Sequence, residues 1–198
     1  MKRYRSLASM ARDLHTCRAC VEAGHPLGSL PVDASYTGQR AYLFGQAPGI
    51  VEGEERRPWR GRAGKTLRRW LDLDEDAFYA AFYCASVTRC YPGRAASGRG
   101  DRAPTPEEQR LCARWRDTEL RLLRPELIVT VGGLAARALL GVTSVSESVG
   151  GRYELDGALA IPLPHPSGAS SWLNDLANRA RVAEAAAAIR DALATLEG

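Results

Sequence analysis

A nearly uniform apolar run, Leu127-Ile-Val-Thr-Val131, constrains the fold more than any other feature of this chain. Its lack of polar and apolar alternation predicts a strand that is buried on both faces, as in the centre of a parallel sheet. Gly132-Gly133 follows and turns the chain into a predicted helix over 134–140. Before the run, Thr105-Pro-Glu-Glu108 predicts a helix start, with Thr as N-cap and Pro in the first helical position. The strand is therefore expected to lie between two helices.

The rest of the chain repeats this alternation of strands and helices. We predict further strands at 41–44, 78–87 and 158–163, the last in a hairpin with 152–155 around Asp156-Gly157. Predicted helices cover 6–20, 64–73 and 173–196, whereas 50–62 and 91–104 are predicted to be irregular. The pattern predicts an α/β fold, a three-layer α/β/α sandwich with a central, mostly parallel four-stranded sheet. We expect one domain over residues 1–198.

Composition narrows the class of protein. The chain has 198 residues, of which 45% are hydrophobic and 25% charged, as is usual for a globular domain. It contains neither an apolar run long enough to span a membrane nor the apolar core of a signal peptide. We therefore expect a cytoplasmic protein without disulfides and without membrane association. We predict no obligate protein partner.

Four of the five cysteines form a pattern typical of a metal site. Cys17-x-x-Cys20 places two thiolates on one turn, and Cys90 and Cys112 complete a set of four. Thiolate-only ligation suits zinc or an iron–sulfur cluster, and the spacing does not choose between them. Cys84 lies inside a predicted strand and is interpreted as a core residue. His25 is a minor ligand candidate.

Three segments follow predicted strands and are expected to converge on one pocket. They are Gly45-Gln-Ala-Pro-Gly49, the stretch 86–90 and the stretch 165–170. In parallel sheets, ligands bind at the carboxyl ends of the strands.

The net charge is +4, and its distribution is more informative than its size. Basic residues crowd two glycine-rich stretches beside the expected pocket: Arg56, Arg57, Arg60, Arg62, Lys65, Arg68 and Arg69 in one, and Arg89, Arg94, Arg99 and Arg102 in the other. A solubilising surface is the simpler interpretation of either cluster alone. Their position beside the pocket favours contact with phosphates.

Taken together, four segments resemble the uracil-DNA glycosylase superfamily: Gly45-Gln-Ala-Pro-Gly49, Arg57-Pro-Trp-Arg-Gly61, Thr88-Arg-Cys90 and His165-Pro-Ser-Gly168. The cysteines resemble those of its iron–sulfur branches, families 4 and 5. The resemblance implies a DNA repair hydrolase that cleaves the N-glycosidic bond of a deaminated base, uracil first of all, flipped out of DNA. It also implies a [4Fe-4S] cluster on Cys17, Cys20, Cys90 and Cys112.

The resemblance further assigns roles around the pocket. His165 would donate a hydrogen bond to the departing base, and Trp59 would stack on it. Gly45 allows close approach of the backbone, so that the amides of Gln46 and Ala47 face the base or the attacking water. Gln46 or Glu52 would assist that water. Glu52 has two other interpretations, a wall against the thymine methyl group and an exposed carboxylate.

Two positions depart from the family pattern. Ser86 stands where family 4 usually has Asn, and Arg62 stands where family 5 usually has Asp. Broader base specificity, such as hypoxanthine, and a non-catalytic DNA-binding iron–sulfur protein are therefore alternatives. We also expect Ser167 to line the base pocket. The expected DNA contacts are Arg60, Arg62, Lys65 and Ser170, and Trp172 is expected to anchor the last helix or to act as a wedge.

Overall fold

The structure, a computed structural model, describes residues 3–167 and 171–197. Its central sheet contains β1 (Ala41–Gly45), β2 (Phe82–Ser86), β3 (Leu127–Val131), β4 (Tyr153–Leu155) and β5 (Ala158–Leu163). The strand order is β2-β1-β3-β5-β4, and all neighbours are parallel except the pair formed by β4 and β5. The predicted α/β fold is confirmed. The sheet has five strands rather than four, because the first arm of the predicted hairpin joins it as an antiparallel edge strand.

Nine α-helices are present in the described residues. They are α1 (Leu7–His15), α2 (Ala19–Glu22), α3 (Ile50–Glu55), α4 (Arg62–Leu71), α5 (Glu75–Ala81), α6 (Pro106–Leu123), α7 (Gly133–Leu140), α8 (Val145–Ser148) and α9 (Leu176–Glu197). A 3-10 turn, Ser171–Asn174, precedes α9. No helix in the described part of the chain is both long enough and apolar enough to cross a membrane.

Two apolar cores cover the two faces of the sheet. Strand β1 is buried throughout, so its side chains enter the two cores in turn. Ala41 and Leu43 pack with residues of α4, α5 and α9. Tyr42 and Phe44 pack with residues of α1, α6 and α7. The helices therefore form a layer on each face, as a three-layer sandwich requires.

The start of α6 matches its prediction. The Thr105 hydroxyl accepts a hydrogen bond from the Glu108 amide at 3.2 Å, and the Glu108 carboxylate accepts one from the Thr105 amide at 2.7 Å. Arg102 pairs with the same carboxylate, which is 1% exposed. The Arg102 pair and the neighbouring hydrogen bonds lower the pKa of Glu108 despite its burial. The cap thus also anchors the loop before α6.

Three predicted element boundaries are wrong. The strand predicted from Phe78 is helical up to Ala81, because the Asp74 carboxylate accepts a hydrogen bond from the Ala77 amide at 2.8 Å and begins α5. The segment 50–62 was predicted to be irregular but contains α3. The helix predicted over 6–20 ends at His15, and a separate turn forms α2. At Phe78 a capping contact thus outweighs the apolar pattern, and in the polar segment the Glu52 carboxylate caps the first turn of α3 by accepting from the Gly49 amide.

A buried ion pair joins the segment after β2 to α6. Arg89 bonds to Glu119, and the two residues are 1% and 0% exposed. The hydroxyl of Tyr42 donates to Glu119 at 2.7 Å and that of Tyr83 at 3.2 Å. Burial raises the pKa of Glu119, although Arg89 and both hydroxyls oppose that shift. This network fixes the segment next to Cys90 on the helix that carries Cys112.

Candidate active site

The carboxyl ends of β1, β2, β3 and β5 meet at one edge of the sheet. The Val87 amide donates to the Gly45 carbonyl at 3.0 Å, and the Thr88 amide donates to the Gln46 carbonyl at 3.3 Å. The Gly132 amide donates to the Leu163 carbonyl at 2.9 Å. The three segments expected to form a pocket are therefore adjacent wherever the structure describes them.

His165 is the histidine at this edge. Its ring lies against Gly132, where an added Cβ would be 3.5 Å from the His165 Cδ2 atom. The Ser167 amide donates to His165 Nδ1 at 3.3 Å. In the neutral ring the proton must then sit on Nε2, which is left as a hydrogen-bond donor. Burial lowers the pKa of His165, and the Glu52 carboxylate raises it only in part. The ring is therefore neutral at pH 7.

Trp59 covers the end of β1. A Cβ on Gly45 would lie 2.7 Å from the Trp59 Cζ2 atom, so only glycine allows the indole to sit there. The Trp59 backbone is left-handed, with φ 61°, which is costly for a large side chain. A Cβ on Gly64 would lie 1.8 Å from the Trp59 carbonyl oxygen, and Arg68 donates to that oxygen at 3.1 Å. Two glycines and a buried arginine hold the indole in place.

Glu52 ties two parts of the pocket wall together. Its carboxylate accepts hydrogen bonds from the Gly49 amide at 3.1 Å and from the Gly61 amide at 2.7 Å. The side chain is half-buried, so it is not the exposed carboxylate considered above. Each oxygen keeps a lone pair with which a water could be oriented. Its catalytic role stays a prediction, and its positioning contacts are what the structure adds.

The remaining predicted pocket residues differ in whether their polar groups already form hydrogen bonds within the protein. The Ser86 hydroxyl donates to the Thr88 carbonyl at 2.7 Å, so towards the pocket it can only accept. The Ala47 amide donates to no described residue. The side chain of Gln46 is half-buried and Ser167 is held by its bond to His165. Their roles stay predictions, and Ser170 lies outside the described residues.

The arginine-rich stretch divides into two groups. Arg57, Arg60 and Arg68 converge on Glu75, and Arg60 also pairs with Glu55 at 2.6 Å. These three positive charges are partly balanced by the carboxylates of Glu55 and Glu75. Arg62 and Lys65 are exposed, and neither is paired with a described carboxylate. They are better placed for a phosphate than Arg60, although all three DNA contacts stay predictions.

The four cysteines of the predicted metal site lie in one region. Helices α2 and α6 pack together, which brings Cys20 towards Cys112, and Cys90 follows β2 beside them. Burial raises the pKa values of Cys90 and Cys112 to about 12, and neighbouring thiols of the group add to the shift of Cys90. An Arg114 nitrogen lies 3.4 Å from the Cys17 sulfur. Cys84 is buried in β2, as predicted.

The donor set fits a thiolate-bound metal, but the thiols are not arranged as a closed coordination shell. Within residues 3–167 and 171–197, no three His, Cys, Asp or Glu side chains are placed to hold a metal ion. Burial alone would disfavour four thiolates, but Arg56, Arg89 and Arg114 adjoin the region and would partly balance the charge of thiolates bound to one metal group. The Arg110 bond lowers the pKa of Glu107, and His25 adds a smaller contribution, so His25 stays only a candidate ligand.

Sequence reasoning missed several residues that shape this edge. Asp101 is one of them: its Oδ2 lies 3.2 Å from the position of a Cβ on Gly49, and its Oδ1 accepts from the Tyr91 hydroxyl at 2.9 Å. Glu75 is another, because it gathers three arginines. No periodic pattern marks an isolated carboxylate. The glycine at 64, placed inside a predicted helix, was a usable signal of close backbone approach.

A histidine, a tryptophan and a glycine-rich turn lie at the strand ends of an α/β sandwich, where proteins of this architecture bind their ligands. These features place the chain among the ligand-binding α/β proteins, and comparison with known proteins identifies its family. The model of the Uracil DNA glycosylase superfamily matches residues 34–190. The chain belongs to this superfamily, and the resemblance found in its sequence is confirmed.

Individual relatives fall in both branches that the cysteines indicated. A Type-4 uracil-DNA glycosylase of Thermotoga maritima is 30% identical over 65% of this chain and 65% of its own length. One of Archaeoglobus fulgidus is 28% identical over 76% of this chain and 74% of its own. A Type-5 uracil-DNA glycosylase of Thermus thermophilus is 34% identical over 60% of this chain and 59% of its own. The match to the Thermotoga and Thermus proteins thus spans less than two thirds of their length.

Proposed function

We propose that this protein is a monofunctional uracil-DNA glycosylase. It hydrolyses the N-glycosidic bond of uracil that has been flipped out of DNA and leaves an abasic site. Base flipping exposes a bond that is otherwise buried in the stack. The observation that carries the proposal is the hydrogen bond from the Ser167 amide to His165 Nδ1, because it leaves Nε2–H as a donor at the strand ends.

The reaction needs a donor on the base and a nucleophile on the sugar. The bond between C1′ of the sugar and N1 of uracil breaks, and its electron pair stays with the base. His165 Nε2–H donates a hydrogen bond to the carbonyl oxygen on which negative charge develops. A water adds its hydroxide to C1′, and its remaining proton ends on the base. Neutral His165 fits this role because its buried ring resists protonation.

The other pocket residues hold the base and the water. Trp59 offers its indole for stacking, which is typically worth about 1–3 kcal/mol per base. Ser86 presents a lone pair to the N3–H of uracil, since its own proton is donated to Thr88. The Ala47 amide, which donates to no described residue, and the half-buried Gln46 follow the end of β1 and suit the second carbonyl oxygen or the water.

The four cysteines are proposed to hold a [4Fe-4S] cluster. Cys17 and Cys20 lie on the N-terminal segment, Cys90 follows β2, and Cys112 lies on α6. A cluster there supplies a structural tie between these segments, and hydrolysis does not require its redox chemistry. Visible absorbance with iron and zinc analysis of protein purified without oxygen tests this. Iron and sulfide in equal amounts support it, and stoichiometric zinc without iron contradicts it.

The test of activity is an excision assay on a uracil-containing oligonucleotide, with lesion-free and hypoxanthine-containing strands beside it. We expect an abasic product from uracil and a loss of about 10²-fold or more in His165→Ala. His15→Ala is the matched control, because His15 ends α1 and pairs with Asp33 at 2.7 Å, outside the residues assigned to the pocket. Lack of any abasic product, or full activity in His165→Ala, would show that the proposal is wrong.

A further inference from the structure

A groove runs between α4 and α9 and opens beside the candidate active site. Its volume is about 600 Å³. Pro166 and Ser167, the two residues after His165, line one end, so the groove continues directly from the strand-end pocket. Trp70, Leu173, Val182 and Ala186 contribute apolar surface to it. Apart from Ser167, whose amide bonds to His165, no residue that lines the groove has a part in the proposed cleavage of the base.

The walls of the groove carry an unbalanced positive charge. Arg62 and Arg69 lie on α4 and Arg179 and Arg190 on α9; all four are exposed and line it. Among the described residues none of the four pairs with a carboxylate, and no Asp or Glu lines the groove. The neighbouring arginines that meet Glu75 show that the protein balances such charges elsewhere.

The arginine side chains are held by neutral partners. Arg179 Nε donates to the Leu173 carbonyl at 2.7 Å, and Arg190 donates to the Trp70 carbonyl at 3.0 Å. Arg69 donates to the Thr66 hydroxyl at 3.2 Å. These bonds orient three of the four guanidinium groups, those of Arg69, Arg179 and Arg190, without reducing their charge. Each of the three keeps donors for a phosphate oxygen.

We propose that the α4–α9 groove binds the single DNA strand on one side of the flipped nucleotide. The arginines on both walls contact its phosphates, and its bases lie against the apolar floor, where Trp70 allows stacking. The proposal rests on the proposed function for its starting point, because the strand enters the groove beside His165. An acidic peptide with apolar residues has a related chemistry, but it would not explain why the groove is continuous with the pocket.

The test measures binding of a fluorescein-labelled, lesion-free oligothymidylate by fluorescence anisotropy across a salt series. The variant Arg179→Gln/Arg190→Gln removes one wall, and Arg62→Gln/Arg69→Gln removes the other. The matched control is Arg124→Gln/Arg137→Gln, which removes two exposed arginines from the layer on the other face of the sheet. Two walls give two independent variants should one of them fold poorly.

For either groove variant we expect about tenfold weaker binding at low salt. The slope of log K against log salt should fall by about 1.4, since each single-strand phosphate contact contributes about 0.7. The control should match the parent. Parent-like affinity and slope in both groove variants would overturn the proposal. The proposal would also be overturned if binding of a labelled acidic, apolar peptide depended on these arginines while binding of the oligonucleotide did not.

Failure of the proposed function has a different signature. If uracil excision is absent while oligothymidylate binding still depends on the four arginines, the glycosylase assignment is wrong and the groove remains a nucleic-acid site. If excision proceeds but the arginines leave oligothymidylate binding unchanged, the groove proposal is wrong and the glycosylase assignment stands.

Discussion

Replacing Glu52 by Gln separates the two roles open to this residue, positioning and catalysis. The carboxylate accepts hydrogen bonds from the Gly49 and Gly61 amides, one on each oxygen. The amide of a glutamine has a single acceptor oxygen, and its NH₂ group would face a backbone N–H. One of the two bonds is therefore lost, and two donors are brought together.

The loss of folding free energy in Glu52→Gln follows from that geometry. A hydrogen bond to a charged group contributes about 1.5–3 kcal/mol, and the half-buried site favours the middle of that range, about 2 kcal/mol. For a domain of this size each kcal/mol lowers the Tm by about 2–4 °C, so we expect a decrease of about 4–8 °C. The loosened segment carries Trp59, so KM should rise more than kcat falls.

Calorimetry and steady-state excision kinetics measure both effects, and Glu54→Gln is the control. Glu54 lies on the same helix, is exposed and has no side-chain bond within the described residues. Losing Glu52 also removes the contribution that raises the pKa of His165, so any acidic limb should move to lower pH. A Glu52→Gln protein with the parental Tm and a kcat reduced by about 10²-fold would refute this reasoning and assign the carboxylate to the water.

Other perturbations address neighbouring contacts. Because burial lowers the pKa of His165, its neutral form should persist below pH 6.5, and excision should stay level until the pH falls through that lowered value; a profile that declines from pH 7.5 would contradict this. Gly45→Ala places a Cβ 2.7 Å from Trp59, so we expect about 1–3 kcal/mol of destabilisation in urea unfolding and weaker substrate binding, whereas unchanged values would remove the close approach. Glu119→Gln leaves the Arg89 charge unbalanced in the interior and should cost about 3–5 kcal/mol in the same assay, with a cost below about 1 kcal/mol counting against it.

The fold was predictable wherever burial and local capping agree. Leu127–Val131 is a central strand with both faces covered, as its lack of alternation between polar and apolar residues predicts. Thr105-Pro-Glu-Glu108 begins α6 because the side chains that signal a cap also make it. The segment from Phe78 was misassigned because its aromatic residues suit a strand, whereas Asp74 commits the chain to a helical turn first. A single capping bond decided between two patterns of similar strength.

The candidate site was predictable as a set of segments and not as a set of contacts. Sequence order placed His165 and Gly45 at strand ends, since parallel strands end at one edge. It could not show that Glu52 bonds to two backbone amides, because Gly61 approaches it only through the fold. The same limit applies to Arg60, which the sequence presents as a DNA contact, whereas the fold pairs its charge with Glu55 and Glu75.

The segment after β2 connects the cysteine region to the pocket. Ser86 ends the strand and bonds to Thr88, whose amide donates to Gln46, while Arg89 is buried against Glu119 and Cys90 follows. Any group that fixes Cys90 to Cys112 therefore also fixes the hydroxyl proposed to read the base edge. His165 is held separately, by Gly132 and Ser167 at the ends of β3 and β5. With the roles proposed for Ser86 and His165, base selection and bond cleavage depend on different parts of the sheet. We therefore expect substitutions in the cysteine region to change base selection more than bond cleavage.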